Sequence, residues 1–235
     1  MLRRLRWIAP ATLACFVGIA PAQTPGPNEK VAIPRVNVQD KEDVWALQLT
    51  FKGPRVIETE VPGLGRKKVV YLWYQIVNTS DKPHTYIPEF EIVTLDRNTS
   101  HMDQVMPAVQ AEIAKLEDPT GFLNIKNSVT ISAKPVPPSK PGANPIPVTG
   151  VAIWPDVAEK AGDTTRFSIF VSGLSNGWDD KDGKLRRKTL QLNYRRLADA
   201  AHQDSEAIKF ESQAWVYRAT SVPPVQIKPI APEGR

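Results

Sequence analysis

Large apolar and polar side chains alternate along much of this chain, and this two-residue period is the feature that most restricts its fold. Because successive side chains of a β-strand point to opposite faces, such a segment forms a strand with one buried face. The alternation is clearest from residue 45 to residue 51, where every second side chain is large and apolar: Trp45, Leu47, Leu49 and Phe51. Similar segments predict further strands at 55–61, 68–77, 86–95, 122–131, 148–154, 166–174, 185–195 and 209–220. The sequence therefore predicts a mainly β protein of about eight or nine strands.

Segment 68–77 is apolar on both of its faces. A strand that is buried on both faces lies inside a sheet, so we expect 68–77 to be a central strand. A turn should follow it at 78–83, because Asn, Ser and Asp side chains bond to nearby backbone groups and Pro83 ends strand pairing.

The stretch 69–95 thus consists of a strand, a turn with the sequence Asn-Thr-Ser-Asp-Lys-Pro, and a second strand. It resembles the strand–turn–strand unit of immunoglobulin-like domains in bacterial exported proteins, where a strand ending in Val-Asn precedes a turn of the Ser-Asp-Lys-Pro type. The resemblance implies an antiparallel immunoglobulin-like β-sandwich. It carries over no functional residue, because domains of this type share a scaffold and not a site.

One helix is expected between the strands, because apolar residues recur at helical spacing at Val105, Val109, Ile113 and Leu116. Pro107 suits a first helical turn, and Asp118-Pro119 ends the run. Six prolines between residues 134 and 147 favour an extended segment that cannot lie inside a sheet. This segment is either a domain linker or a long loop between sheets, and we favour the loop. The expected organisation is an N-terminal spacer at 23–40, one β-sandwich domain at 41–220 and a disordered tail at 221–235.

Residues 1–22 have the character of a signal peptide. Three arginines precede an uncharged apolar run at 7–19, and Ala20-Pro21-Ala22 provides small residues for cleavage before Gln23. An uncleaved anchor and lipid attachment at Cys15 are the alternatives. We expect an exported protein, in the periplasm, at the cell surface or outside the cell, with no transmembrane segment after cleavage.

The charge and cysteine content of the mature chain exclude several functions. The whole chain has 30 basic and 25 acidic residues, but three of the basic residues lie in 1–22, which leaves a net charge of only +2. Such a balance gives little support for a nucleic-acid partner. Cys15 is the only cysteine, so a mature chain without it has no disulfide, no thiolate nucleophile and no cysteine metal site. We expect no cofactor.

Gly173-Leu174-Ser175-Asn176-Gly177 matches the G-x-S-x-G pattern of serine hydrolases, and Asp199 and His202 follow in the hydrolase order. In serine hydrolases this pattern forms the nucleophile elbow, a tight turn that needs a helix after its serine. Here a polar turn follows the serine instead. A hairpin loop is the favoured interpretation, and a serine hydrolase using Ser175 and His202 is the alternative.

The acidic and basic residues near this loop allow further interpretations. Asp179, Asp180 and Asp182 before Gly183 suggest a solvated turn rather than a calcium site, because the late Glu of a calcium loop is missing. The three histidines, His84, His101 and His202, lack metal-ligand spacing and are expected at the surface. A basic stretch contains Lys184, Arg186, Arg187 and Lys188, with Arg195 and Arg196 further along, and alternation puts Arg187 on the opposite face from its neighbours. It should keep a strand soluble or guard a sheet edge, and the alternative is a patch that binds an anionic polysaccharide or a lipid head group.

Trp178 lies in this polar loop beside Asp179 and Asp180. It caps one end of the sandwich or, as an exposed indole flanked by carboxylates, binds a sugar ring. The sequence therefore predicts a non-catalytic exported protein that binds or scaffolds a partner in the cell envelope or outside the cell. Within that class, a carbohydrate-binding module would bind polysaccharide through Trp178, Asp179 and Asp180. A structural partner of another secreted chain is the remaining alternative.

Overall fold

The computed structural model describes residue 26 and residues 28–139, 144–180, 183–197 and 207–219. The expected signal peptide at 1–22 and the expected tail at 221–235 lie outside the described residues.

The described chain forms two antiparallel sheets, which confirms a mainly β sandwich with an inserted helix. Sheet 1 contains β1 (Glu29–Ala32), β2 (Gln48–Lys52), β3 (Arg55–Val61), β4 (Gly65–Val77) and β7 (Val148–Trp154). Sheet 2 contains β5 (Glu89–Thr94), β6 (Ser100–Met102), β8 (Arg166–Ser172), β9 (Trp178–Asp179), β10 (Arg186–Arg196) and β11 (Ile208–Ala219). The helices are α1 (Pro107–Glu117), the single turn α2 (Val157–Lys160) and a 3-10 turn at Thr130–Ala133.

β4 is the centre of sheet 1, as its sequence predicts. Residues Val70–Ile76 pair with β7 along one edge, while β3 and β2 pair with successive parts of the other edge. Sheet 2 has the strand order β11-β10-β8-β5-β6, and the short β9 pairs with the start of β10. β7 follows the Pro-rich segment and β4 precedes it, so the two halves of the chain share sheet 1.

The main core lies between the two sheets. Leu72 and Tyr74 of β4 belong to the same buried cluster as Ile169 of β8 and Leu190 of β10. Burying each such side chain stabilises the fold by roughly 1.5–3 kcal/mol. In a chain with no cysteine after residue 15, this packing is the main source of stability.

A second core lies on the outer face of sheet 1, under α1. Tyr71 and Trp73 of β4 pack there with Val109 and Ile113 of α1. Glu117, at the end of the helix, anchors it through three bonds, to Lys52 (2.9 Å), Arg55 (2.6 Å) and the Tyr71 hydroxyl (2.8 Å). These contacts cover the second apolar face of β4, so the strand is buried on both sides.

The strand predicted at 122–131 is wrong. Asp118 accepts hydrogen bonds from the backbone N–H groups of Phe122 and Leu123, and these bonds turn the chain instead of extending it. Asn127 then bonds to the N–H groups of residues 129 and 130 and begins the 3-10 turn. The N-terminal spacer also contains structure that its sequence did not reveal, because β1 lies within it.

The segment after β1 crosses to sheet 2 and closes one side of the sandwich. Gln213 and Trp215 of β11 donate side-chain hydrogen bonds to the carbonyls of Val31 and Ile33, each at 3.0 Å. Lys188 of β10 donates to the carbonyl of Arg35 at 2.7 Å. This path brings residues 40–47 to the end of the sandwich where β8 turns into β9.

Candidate functional site

The loop between β8 and β9 is fastened to residues 45–47 by main-chain and side-chain hydrogen bonds. Leu47 donates its N–H to the carbonyl of Leu174 at 2.7 Å, and Trp45 donates its N–H to Asn176 Oδ1 at 2.8 Å. Ser175 Oγ donates to the carbonyl of Trp45 at 2.6 Å. The sequence Gly-Leu-Ser-Asn-Gly thus holds two loops together at one end of the sandwich.

Gly173 brings a third loop to the same place. Its φ of 83° lies in the left-handed region, and a Cβ at this position would stand 2.0 Å from the carbonyl oxygen of Ile87. No other residue allows so close an approach at this φ. The glycine therefore fixes the 87–88 backbone against the β8–β9 loop.

An open groove with a volume of about 450 Å³ lies beside these loops, and it is lined by Gly173, Ser175, Asn176, Gly177, Trp178, Leu185 and Arg187. Two other cavities, of about 230 and about 200 Å³, are smaller. The groove combines two partly exposed apolar side chains with amide, hydroxyl and guanidinium groups. Its volume lies within the usual range of small-molecule pockets, about 300–1,000 Å³.

Trp178 is the main apolar surface of this groove. Its residue surface is 42% exposed, whereas Trp73 and Trp154 are buried in the two cores. Trp178 stands opposite Arg187 in the pairing of β9 with β10, so both side chains leave the sheet on the same face. The Lys41 ammonium lies 3.3 Å from the centre of the indole ring.

The two acids predicted to bind with Trp178 lie elsewhere. Asp179 is only 8% exposed and faces the opposite side of β9, where it stands across from Arg186. Asp180 is exposed but does not line the groove. Strand alternation is the reason for Asp179, because neighbours in a strand face opposite sides, whereas Asp180 comes after the end of β9. Of the three predicted binding residues, the structure places Trp178 in the groove.

Ser175 is arranged as a structural residue. Its hydroxyl donates to the Trp45 carbonyl and accepts the N–H of Gly177 at 3.1 Å. The strand β9 follows it, where a nucleophile elbow requires a helix. Asp199 and His202, the other members of the hydrolase alternative, lie outside the described residues.

The sequence places the histidines at the surface, but of the two described ones His101 is buried, while His84 is half-buried. His101 is 5% exposed in β6 and bonds to Asp156 and to the hydroxyl of Thr99, each at 2.9 Å. His84 stacks on Trp45 with ring centres 4.1 Å apart, and burial lowers its pKa. Asp156 and Trp45 lie far from these histidines in the sequence, and Thr99 is a polar neighbour. No spacing pattern in the sequence therefore indicates these contacts. His202 lies outside the described residues.

The basic stretch is divided between the two faces of β10. The prediction for Arg187 is confirmed, because it is exposed on the outer face. Lys188, expected in solvent, is instead buried and pairs with Asp40, which also accepts the Tyr217 hydroxyl at 2.6 Å. Burial alone would raise the pKa of Asp40, but hydrogen bonds from Lys188 and Tyr217 hold this pKa below its ordinary value.

The described residues contain no group of three or more His, Cys, Asp or Glu side chains that could hold a metal ion. Asp182, part of the calcium interpretation, lies outside them. None of the described helices is both long and apolar enough to span a bilayer.

No family model matches this chain, and neither a curated protein nor a solved structure matches it.

Proposed function

We propose that this chain is an exported, non-catalytic binding protein whose β-sandwich presents the groove beside Trp178 to a carbohydrate. The observation that carries the proposal is the partly exposed Trp178 indole, which lines the groove together with Leu185 and Arg187. Three loops position the groove from a rigid two-sheet scaffold, an arrangement common to binding proteins.

The chemistry of the groove suits a sugar. A pyranose ring has an apolar C–H face that packs on an aromatic ring, and an indole provides a large rigid surface for it. Asn176 and Arg187 are polar lining residues whose side chains can bond to sugar hydroxyls. Small-molecule sites typically have a mainly apolar wall with a small number of polar groups on it.

The same geometry favours binding over catalysis. The Ser175 hydroxyl is the nearest candidate nucleophile, and it is bonded to backbone groups on both sides. A nucleophile needs a base in hydrogen-bond reach. Each described histidine bonds a different hydroxyl, that of Ser80 for His84 and that of Thr99 for His101.

Export is part of the proposal because the sequence of residues 1–22 has the charged, apolar and small-residue regions of a signal peptide. The partner is then a polysaccharide of the cell envelope or of the surroundings. The immunoglobulin-like assignment from residues 69–95 is consistent with such a scaffold and remains a prediction.

The test is an array of bacterial and plant glycans, probed with the purified chain and with Trp178→Ala. We expect at least one glycan to be retained by the wild type and lost in Trp178→Ala. The matched control is Phe122→Ala, which removes an 89% exposed aromatic residue beside α1 and away from the groove. Binding that persists in Trp178→Ala, or that disappears equally in Phe122→Ala, contradicts the proposal.

A further inference from the structure

Arg187 and Trp178 form one unit of the groove. They are directly opposite each other in the antiparallel pairing of β9 with β10. Side chains at such positions begin roughly 5 Å apart and project from the same face. A ring that packs on the indole therefore places its substituents within reach of the guanidinium.

The guanidinium of Arg187 has no carboxylate to neutralise it in the described part of the chain. Its neighbours on the sheet differ in this respect. Arg218, opposite Arg187 on β11, pairs with Glu91 and lies 4.0 Å from the centre of the Phe170 ring. Arg195, further along β10, stands 3.4 Å from Glu211.

The described residues that line the groove also include no acid. Among the described residues that line it, Arg187 is the charged side chain, and the Lys41 ammonium lies 3.3 Å from the centre of the Trp178 ring. Asp179 is buried on the opposite face of β9, so its carboxylate is not on the ligand side. The described side chains of the groove therefore place positive charge next to an aromatic surface.

Resting on the proposed function, we infer that the groove selects acidic sugars: a pyranose carrying a carboxylate packs on Trp178 and is held by Arg187. The guanidinium matches a carboxylate with two parallel N–H···O bonds, which are stronger than bonds between neutral groups. A neutral sugar would use the indole but would leave Arg187 with water. The ligand class is thus a uronic-acid oligosaccharide.

The experiment compares oligomers that differ only in charge. Isothermal titration measures the binding of oligogalacturonate, oligoalginate and hyaluronan oligosaccharides, each beside its methyl ester, which keeps the ring and removes the charge. The proteins are the wild type, Arg187→Gln and the control Arg195→Gln, an arginine at the far end of the same strand. Sodium acetate, a carboxylate without a sugar ring, distinguishes a sugar site from simple attraction of anions.

We expect at least one acidic oligomer to bind at least tenfold more tightly than its methyl ester. Arg187→Gln should remove this difference, and Arg195→Gln should keep it. Equal binding of acid and ester, an acid preference that survives Arg187→Gln, or acetate that competes as well as the oligomer overturns the inference. If an ester or a neutral glycan still binds through Trp178 in those cases, the proposed function stands. If no oligosaccharide, acidic or neutral, binds to the wild type, both the inference and the proposed function are overturned.

Discussion

Lys188 and Asp40 form an ion pair inside the sandwich although 148 residues separate them in the sequence. Their side chains are only 2% and 8% exposed. The pair fastens the segment after β1 to sheet 2, and this segment also carries Lys41 to the Trp178 ring. The ion pair therefore links the stability of the fold to the shape of the groove.

Asp40→Ala should destabilise the protein strongly, because it leaves the Lys188 charge buried without its carboxylate. The expected loss is about 3–5 kcal/mol in the free energy of unfolding. Urea unfolding measures it. The control is Asp43→Ala, an exposed acid three residues away, whose effect should stay within about 0.5 kcal/mol. Equal stability of the two variants would show that the buried pair is not formed.

Gly173→Ala should destabilise far more than Gly63→Ala. Both glycines have a positive φ, 83° and 77°, so both variants lose about 1–2 kcal/mol from backbone strain. Only at Gly173 does the new Cβ meet backbone, at 2.0 Å from Ile87 O, while Gly63 has nothing within 4 Å. We expect a total above about 3 kcal/mol for Gly173→Ala. Thermal unfolding compares them, and similar melting temperatures would contradict the close approach.

Part of the stability should be lost in acid through Asp96. Burial raises the pKa of this carboxyl, but bonds from the Thr164 hydroxyl and from the Thr165 N–H at 2.6 Å outweigh it and lower the pKa from 3.8 to about 2. A carboxyl whose folded pKa is depressed stabilises the fold above its unfolded pKa, and this contribution disappears as the pH falls through the folded value.

The wild type should therefore lose stability more steeply than Asp96→Asn between about pH 4 and about pH 2. Urea unfolding across this range measures both slopes. Asp103, whose pKa burial raises, has the opposite effect, but it is present in both proteins and cancels in the comparison. Identical slopes would show that the Thr164 and Thr165 bonds do not act on Asp96.

Ser175 should not react with a fluorophosphonate probe, because its hydroxyl already donates to the Trp45 carbonyl. Mass spectrometry of the treated protein measures this, with a known serine hydrolase as the positive control. Labelling that vanishes in Ser175→Ala would establish the hydrolase alternative instead.

The local periodicity of the sequence was enough to predict the sandwich. Strand β4 is apolar on both faces because each face contacts a different core, and α1 begins at Pro107 as its spacing predicts. The strand prediction for 122–131 was wrong for a local reason, because Asp118 holds the backbone of Phe122 and Leu123 in a turn. Periodicity records which side chains avoid water, but not whether the backbone is extended.

The site could be predicted only in part. Trp178 was recognised because an indole in a polar loop is unusual. The two-residue alternation correctly placed Arg187 and Lys188 on opposite faces of their strand. The burial of Lys188 was missed, because its partner Asp40 comes from the other end of the chain. Asp179 was assigned to the ligand because it neighbours Trp178 in sequence, although neighbours in a strand face opposite sides. Contacts between distant segments leave no local pattern.

The most direct test of the binding groove is the NMR signal of the Trp178 indole N–H, identified by its absence in Trp178→Phe. The signal is followed while the ¹⁵N-labelled protein is titrated with a pool of acidic and neutral oligosaccharides. The predicted result is a saturable shift of this signal, with the signals of the buried Trp73 and Trp154 unchanged. A Trp178 signal that does not move, or that moves no more than those of the two buried indoles, would contradict the assignment of the groove.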